Sequence, residues 1–410
     1  MTLTHIAQIA IILLALLAAG LSKPRGFTRH VGEYFALLLL ASLGMVILVG
    51  ADNLLLIFVA LELLSVSVYA LAAFDKSSPA SAEAALKYFL FGGMAAAFTL
   101  FGISLVYGVT GEIRLEAIAN ALAAKPAEPI FYVGLVMTLC GFAFKLAAAP
   151  FHWWAPDVYQ GAPTPVAAFI ASSSKVASFY VLARILFIAF PGARTDWMSI
   201  IAALAVISML LGNVAALVQT SVKRLLAYSA VAHAGYALLA LLADPQHAWP
   251  ALIFYTITYA VTVLGAFTVV AVAEQNGGAN MRDLAGLSRR APVMSFCMLV
   301  FMLSLAGIPP LAGFFGKFYV FIAAASAAPR LGLLWLVIVA VAASAISLYY
   351  YLQVLKQIYA TAPGEKTAPL APAYFTQAAI VFMACAVVGL GCFPSLLLTR
   401  ITAALTAHPF

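Results

Sequence analysis

Apolar runs of about twenty residues follow one another along this 410-residue chain, separated by short polar connections. About 20 such residues make a helix long enough to cross a bilayer's hydrocarbon core. Lipid offers no hydrogen-bond partners, so the backbone of each run must pair within itself. A window of about 19 residues places spans at 3–21, 32–51, 53–74, 80–109, 130–161, 163–190, 196–218, 221–243, 249–273, 291–325, 331–360 and 374–398. The expected fold is all-α: a polytopic membrane protein of about twelve transmembrane helices in a single domain over residues 1–410.

The composition agrees, and it excludes other classes. Charged residues make up 9% of the chain and hydrophobic ones 65%, whereas soluble domains carry about 25% charged residues. An ordinary soluble enzyme is therefore ruled out. The net charge of +7 is scattered through apolar sequence and is not gathered on the basic face that nucleic acid requires, so no nucleic-acid partner is expected. Cys140, Cys297, Cys385 and Cys392 lie in apolar runs without CxxC or His-paired spacing. They read as buried, unpaired thiols, and no metal or cofactor motif accompanies them. Residues 3–21 lack the basic lead-in of a signal peptide, and Lys23, Arg25 and Arg29 come afterwards. That stretch reads as the first span.

Two spans are too long, and proline interrupts both: 130–161 at Ala149-Pro150, and 291–325 at Gly307-Ile308-Pro309-Pro310. A break strands backbone groups at membrane depth, which is tolerated where they are buried in protein or face a water-filled cavity. The broken spans occupy the same place in two successive groups of five helices, 32–190 and 196–360. Five is odd, so the second group enters from the opposite face. That is the arithmetic of an inverted repeat, a construction transporters use around discontinuous helices.

Lys and Arg in the connections give the orientation, because cytoplasmic loops carry the excess. Connections after odd-numbered helices hold Lys23, Arg25, Arg29, Lys76, Lys223, Arg224, Arg282, Arg289, Arg290 and Lys366. Those after even-numbered helices, with the C-terminal tail, hold Arg114, Lys125, Arg194, Arg330 and Arg400. The imbalance puts both termini on the outer, periplasm-like face.

An ionisable side chain at the bilayer centre costs at least about 2.5–3.5 kcal/mol, so such residues mark ion pathways or pair with one another. Glu62 lies ten residues into its helix, about 15 Å deep at 1.5 Å per residue. Lys145 stands five residues before Pro150, and Lys317 seven after Pro310. Lys175, preceded by Ser172, Ser173 and Ser174, is about 18 Å past Pro163, and His233 is at similar depth. The chemistry such a row offers is reversible protonation, with burial and nearby charge setting when an amine holds its proton. An imidazole passes protons near neutrality with the least tuning. Hydroxyls of the three serines, Tyr228 and Ser229 can hold bridging water. Glu62 has no lysine at i±3 or i±4, so its partner must come from another helix, with Lys145 or Lys87 the natural candidates.

Plainer readings stand beside these. Glu62 and Lys145 are also what a structural ion pair would look like, and Lys175 and Lys317 also admit a structural role. His233 is placed to donate to a carbonyl across helices. Lys87 follows Glu83 at i+4, an ordinary helical pair, and is a possible relay member only. Arg184 lies near a helix end, where its side chain can reach the interface. Asp157, between Pro156 and Pro163, reads as shaping the broken helix.

The same segments carry a family resemblance. ELLSVSVYALAAF with SAEAALKYFLFGG, FKLAAAPFHWWAPDVYQGAPTPVAAF, GNVAALVQTSVKRLLAYSAVAHAGY, SLAGIPPLAGFFGKFYVF and SLYYYLQV resemble the N subunits of respiratory complex I, the proton-pumping NADH:quinone oxidoreductase. The resemblance implies an inverted five-helix repeat with a half-channel at each broken helix and Glu62 and Lys145 as a charge pair. Lys175 and His233 would form the connecting relay, with Lys317 at the second break. It also implies a non-redox translocase subunit in a bacterial inner membrane beside other membrane subunits, including paralogous antiporter-like ones. Flavin, iron–sulfur clusters and quinone would belong to partner subunits. Bacterial members of that family usually carry two further N-terminal helices, a departure in this chain. The competing reading is a subunit of a multi-subunit cation/proton antiporter, which shares the fold and the lysines. A third is a passive assembly subunit whose charges are structural.

Overall fold

The computed structural model describes residues 2–22, 26–124, 128–274, 278–327, 332–362 and 372–407. Lys23, Arg25, Lys125, Arg330 and Lys366, five of the cations used above for orientation, lie outside the described residues.

Capping residues set many helix boundaries. After α1 (Leu3–Leu21) and α2 (Val31–Gly50), Asn53 starts α3 (Leu54–Ala72) by accepting the Leu56 N–H at 2.8 Å. Ser78, followed by Pro79 at the first helical position, starts the 32-residue α4 (Pro79–Thr110), which Gly111 ends in the left-handed conformation. These are the residue types that satisfy free N–H groups at a helix start and tolerate positive φ at its end. The first broken span is α6 (Pro129–Lys145) and α7 (Trp154–Gly161), preceded by the short α5 (Leu115–Ala124). Then come α8 (Thr164–Arg184), α9 (Arg194–Leu217), α10 (Val222–Ala240), α11 (Pro245–Glu274) and the single turn α12 (Leu287–Arg290). The second broken span is α13 (Pro292–Ala306) and α14 (Ala312–Ser326), followed by α15 (Leu334–Ala360), α16 (Tyr374–Cys392) and α17 (Ser395–Ala407).

Nine of the described helices are long and apolar enough to cross a bilayer. The two broken spans and α10, which carries Lys223, Arg224 and His233, bring the total to twelve. Three details differ from the sequence expectation. Residues 115–124, read as part of a connection, form α5, too short to span. The last expected span, 374–398, ends at Cys392, because Pro394 cannot donate to a continuing helix, and resumes as α17. Of the four free cysteines only Cys297 is buried; Cys385 and Cys392 are exposed on the chain.

The centre of the bundle is α8 and α11. The apolar window of the α8 span is wholly buried and that of α11 is 89% buried, against 33–56% for the other seven. Around them the same packing pattern occurs twice. A backbone bridge joins the start of α3 to the segment after α4, through Leu54 N to Ile113 O and Leu115 N to Asp52 O. A matching bridge joins the start of α10 to the segment after α11, through Val222 N to Ala279 O and Met281 N to Thr220 O. Close helix approaches repeat with the same register. A Cβ on Gly44 of α2 would stand 2.7 Å from Leu64 N and 3.0 Å from Ala60 O. One on Gly212 of α9 would stand 2.5 Å from Ala232 N and 2.8 Å from Tyr228 O. Gly212 follows Gly44 by 168 residues, as Tyr228 follows Ala60 and Ala232 follows Leu64. Small residues let membrane helices approach this closely.

Candidate functional site

The two helix breaks organise the buried polar groups. Lys145 is the last residue of α6 and is buried. Its ammonium donates to Ser65 Oγ at 2.8 Å and lies 5.8 Å and 6.0 Å from the ring centroids of Tyr69 and Tyr88. Ser65 and Glu62 are three residues apart and share a face of α3. Glu62 is half-buried. Among the described residues no carboxylate stands within 4.0 Å of the Lys145 ammonium. The two residues do not form a direct ion pair.

Where α6 stops, its last carbonyls lose their helical partners. Phe144 O accepts from the Trp154 indole N–H at 2.9 Å, tying α7 back across the break. Leu146 O accepts from the ammonium of Lys175 on α8. Ala149 N donates to Ser208 Oγ on α9 at 2.8 Å. Ala147 takes φ 52, a left-handed conformation uncommon for a residue with a Cβ. The second break repeats the arrangement. Ala306 O, at the end of α13, accepts from Lys317 Nζ at 3.1 Å, and Ser344 Oγ accepts from the same ammonium at 2.7 Å. Gly307, with φ 87, turns the chain there and leaves room for the lysine stem: a Cβ on it would meet Lys317 Cδ at 3.0 Å. Each break thus exposes a carbonyl, and a lysine occupies it.

His233 lies between two phenols. Its Nδ1 is 2.7 Å from Tyr255 Oη and its Nε2 3.2 Å from Tyr351 Oη, which in turn is 2.6 Å from Ser229 Oγ. The Tyr236 ring adjoins His233, with ring centroids 5.7 Å apart, and the Lys317 ammonium lies 4.8 Å from its centroid. Asn213 anchors Tyr236 and Tyr350 through hydrogen bonds of 3.0 Å each. Lys145, Lys175, His233 and Lys317 are all buried. Every hydrogen-bond partner of theirs named here is a side-chain hydroxyl or a backbone carbonyl.

Lys87 belongs elsewhere. It is 39% exposed and pairs with both Glu83 and Asp157 at 2.7 Å. Asp157 uses its other oxygen on Arg224 at 2.7 Å, so Asp157 ties α4, α7 and α10 together. Arg184 caps α2 by donating to Val49 O and Ala51 O. Of the three serines before Lys175, Ser172 and Ser174 bond back to their own helix, and Ser173 Oγ has no protein partner.

Sequence reasoning missed several members of the site. Ser65, Tyr255, Tyr351 and Ser344 were invisible because their role depends on which helix face meets which. His152, in the first break, is buried with Nδ1 unpartnered and its ring 6.4 Å from that of Tyr228; a histidine at membrane depth was the available signal. Lys223 was counted among the loop cations, but it is buried and pairs with Glu274 at 2.8 Å. Among the described residues no group of three His, Cys, Asp or Glu side chains could hold a metal ion.

Comparison with known proteins bears on the same residues. A sequence family described as "NADH:quinone oxidoreductase/Mrp antiporter, TM" matches residues 51–347. The chain is 53% identical over 413 aligned positions to NADH-quinone oxidoreductase subunit N 2 of Acidobacterium capsulatum, covering 96% of this chain and 83% of that one. A subunit in the structure of respiratory complex I from Thermus thermophilus with bound aureothin superposes with a TM-score of 0.83 at 40% identity, over 97% of this chain and 86% of that chain. A subunit of the Mrp complex from a Dietzia species superposes with a TM-score of 0.88 at 22% identity, over 99% and 84%. At that identity the likeness is one of fold.

Proposed function

The chain belongs to the NADH-quinone oxidoreductase subunit N family, and on that premise we propose that it is a proton-translocating subunit without a redox centre of its own. It lies in the inner membrane of a bacterium with both termini on the periplasmic side. Residues 32–190 and 196–360 form two inverted five-helix units, each contributing a half-channel at its broken helix. Electron transfer to quinone takes place in partner subunits that hold flavin and iron–sulfur clusters. Neighbouring antiporter-like subunits complete the membrane arm.

The observation that carries this reading is the set of partners around the buried amines. A structural ion pair needs a carboxylate, and none lies within 4.0 Å of Lys145, Lys175 or Lys317 among the described residues. Hydroxyls and break carbonyls solvate the ammonium forms without neutralising them. They leave each amine able to lose its proton without breaking an ion pair. Lys175 bonds the carbonyl next to Lys145, so the two amines are electrostatically coupled. His233 and Lys317 meet across Tyr236. The Tyr159 and Tyr259 hydroxyls, His152 Nδ1 and Ser173 Oγ are buried and have no protein partner, and buried polar atoms of that kind bind ordered water. Glu62, half-buried beside Ser65, is the group through which charge outside the chain acts on Lys145. Lys87 contributes to the ion-pair network at the channel mouth.

The antiporter alternative shares the scaffold, and the 53% identity to a subunit N favours the quinone-linked assembly. The test is the ratio of protons moved per electron in membrane vesicles carrying the assembled enzyme with Lys145→Ala or Lys317→Ala. The expected result is a lower ratio with assembly intact. An unchanged ratio in both variants would refute the relay.

A further inference from the structure

The mouth of the first half-channel carries a second polar cluster that the relay does not use. A cavity of about 410 Å³ opens between the ends of α1, α4, α7, α8, α10, α11 and α16, lined by Asp75, Ser78, Gln160, Thr164, Lys223 and Glu274 among others. By the count of Lys and Arg, every one of these helix ends lies on the cytoplasmic face. Further inward along α8 and α11, Pro165, Ala168, Leu264 and Thr268 line a separate void of about 10 Å³, the room of about one water molecule. It shares Leu21, Pro165, Thr268 and Ala271 with the lining of the larger cavity and forms the neck beneath it. Ala168 stands one helical turn beyond Thr164, and Lys175 seven residues beyond Ala168, about 10 Å further along α8.

Three helix ends meet on the wall of the larger cavity, outside that neck, through one carboxylate. Glu274, the last residue of α11, accepts from Lys223 Nζ at 2.8 Å on one oxygen and from the Thr164 hydroxyl on the other, and Lys223 Nζ lies 3.2 Å from Thr164 Oγ. Lys223 is in the first turn of α10 and its side chain is 7% exposed. Thr164 opens α8, the helix that carries Lys175. The cluster therefore joins α8 of the first helix group to α10 and α11 of the second. At the repeat-matched positions on the opposite face the cluster has no counterpart among the described residues. Positions matched through the two backbone bridges are Leu55, 168 residues before Lys223, and Gly108, which precedes Arg114 by six residues as Glu274 precedes Asn280.

We propose that Lys223, Glu274 and Thr164 form a latch that sets the width of the cytoplasmic neck and so controls entry of water and protons to Lys175. The proposal rests on the proton-translocating reading. With the latch closed, the ends of α8 and α11 hold the neck at single-water width. When the ion pair parts, the end of α11 is free to move away from α8 and the neck widens. These are positioning residues: they touch the path, and the buried amines carry the proton.

Accessibility of the neck tests this without reference to pumping. Ala168→Cys places a thiol on the inner side of the latch. In inside-out vesicles carrying the complete enzyme, its reaction with a membrane-impermeant methanethiosulfonate is followed by peptide mass spectrometry, which separates it from the native cysteines. Glu274→Gln or Lys223→Gln should accelerate labelling about tenfold, the factor that about 1.4 kcal/mol of opening free energy produces. Thr164→Val removes a single hydroxyl and should give a smaller acceleration. The exchange Lys223→Glu with Glu274→Lys should restore slow labelling, which mere disruption of the fold would not allow. Equal labelling rates in the parent and both single variants would overturn the latch, as would an exchange variant that labels as fast as either one. Unchanged proton ratios in the Lys145 and Lys317 variants would refute the relay and leave the labelling result standing.

Discussion

Gly212→Ala should unfold more easily and pump less, whereas Gly93→Ala, the same change on another helix, should do neither. The Cβ added at position 212 would stand 2.5 Å from Ala232 N, where ordinary contact begins at 3.4 Å. The obstacle is backbone, so α10 must retreat from α9 by roughly 0.9 Å to restore contact distance. His233 is the next residue after Ala232. Its 2.7 Å hydrogen bond to Tyr255 would stretch to roughly 3.6 Å if the whole displacement fell along it, beyond useful hydrogen-bond range. Overpacking costs about 1–3 kcal/mol, and replacing a helical glycine by alanine returns about 0.5–1 kcal/mol, so Gly212→Ala should be less stable than Gly93→Ala by about 1–3 kcal/mol. At Gly93 nothing lies within 4 Å, and the same propensity gain stands unopposed. Thermal unfolding of the purified subunit and proton uptake per electron in vesicles read the two consequences. If Gly212→Ala were as stable and as active as Gly93→Ala, the close α9–α10 approach would be wrong. Gly44→Ala, 168 residues earlier, should match Gly212→Ala in stability loss, because its added Cβ meets the backbone of α3 at 2.7 Å.

Asp157→Asn should weaken folding more than Lys87→Gln, because it releases both Lys87 and Arg224. These partly exposed pairs are worth about 0.2–1 kcal/mol each, so denaturant titration should show a loss of about 1 kcal/mol that shrinks at high salt. Lys87→Gln leaves Asp157 paired with Arg224, and its ratio of protons per electron should stay closer to the parent's than that of Lys145→Ala. Tyr351→Phe leaves Ser229 Oγ and His233 Nε2 without their shared partner. At about 1–3 kcal/mol for a stranded buried group, it should lower both the unfolding midpoint and the proton ratio, and normal values in both would place the phenol outside the path.

Depth along a helix was legible in the sequence, and rotation about the helix axis was not. Depth along the helices, counted at 1.5 Å per residue, selected Glu62, Lys145, Lys175, His233 and Lys317; the last four are buried and Glu62 is half-buried. The prolines marked both breaks because a missing N–H leaves the same signature whatever the neighbours are. Lys87 and Lys223 show where counting fails. Lys87 looked deep enough to matter, yet it faces Asp157 at the chain's edge. Lys223 looked like a loop cation, yet it lies under the ends of two other helices. Which carboxylate a cation meets is decided by packing among α4, α7, α8, α10 and α11, and no periodicity within one helix encodes that. Ser65 illustrates the same limit from the other side: it lies three residues from Glu62, and only the position of α6 makes it the partner of Lys145.

The register of 168 residues that relates Gly44 to Gly212 also relates Ser65 to His233. Both side chains point from the second helix of their group toward buried polar residues around the broken helix, Ser65 to Lys145 and His233 to the phenols beside Lys317. The scaffold therefore offers one address twice and fills it with different chemistry. A serine hydroxyl accepts from an ammonium and has no titration of its own near neutrality. An imidazole holds or passes a proton in that range. Exchanging the occupants separates scaffold from chemistry. Ser65→His adds bulk against Lys145, whereas His233→Ser keeps a hydroxyl but removes the one imidazole between Tyr255 and Tyr351. If position alone mattered, His233→Ser would retain the proton ratio of the parent. If the proton path needs a titrating group there, the ratio falls, and because His233 is buried and bonds both Tyr255 and Tyr351, unfolding also becomes easier by about 1–3 kcal/mol for each phenol left without its partner.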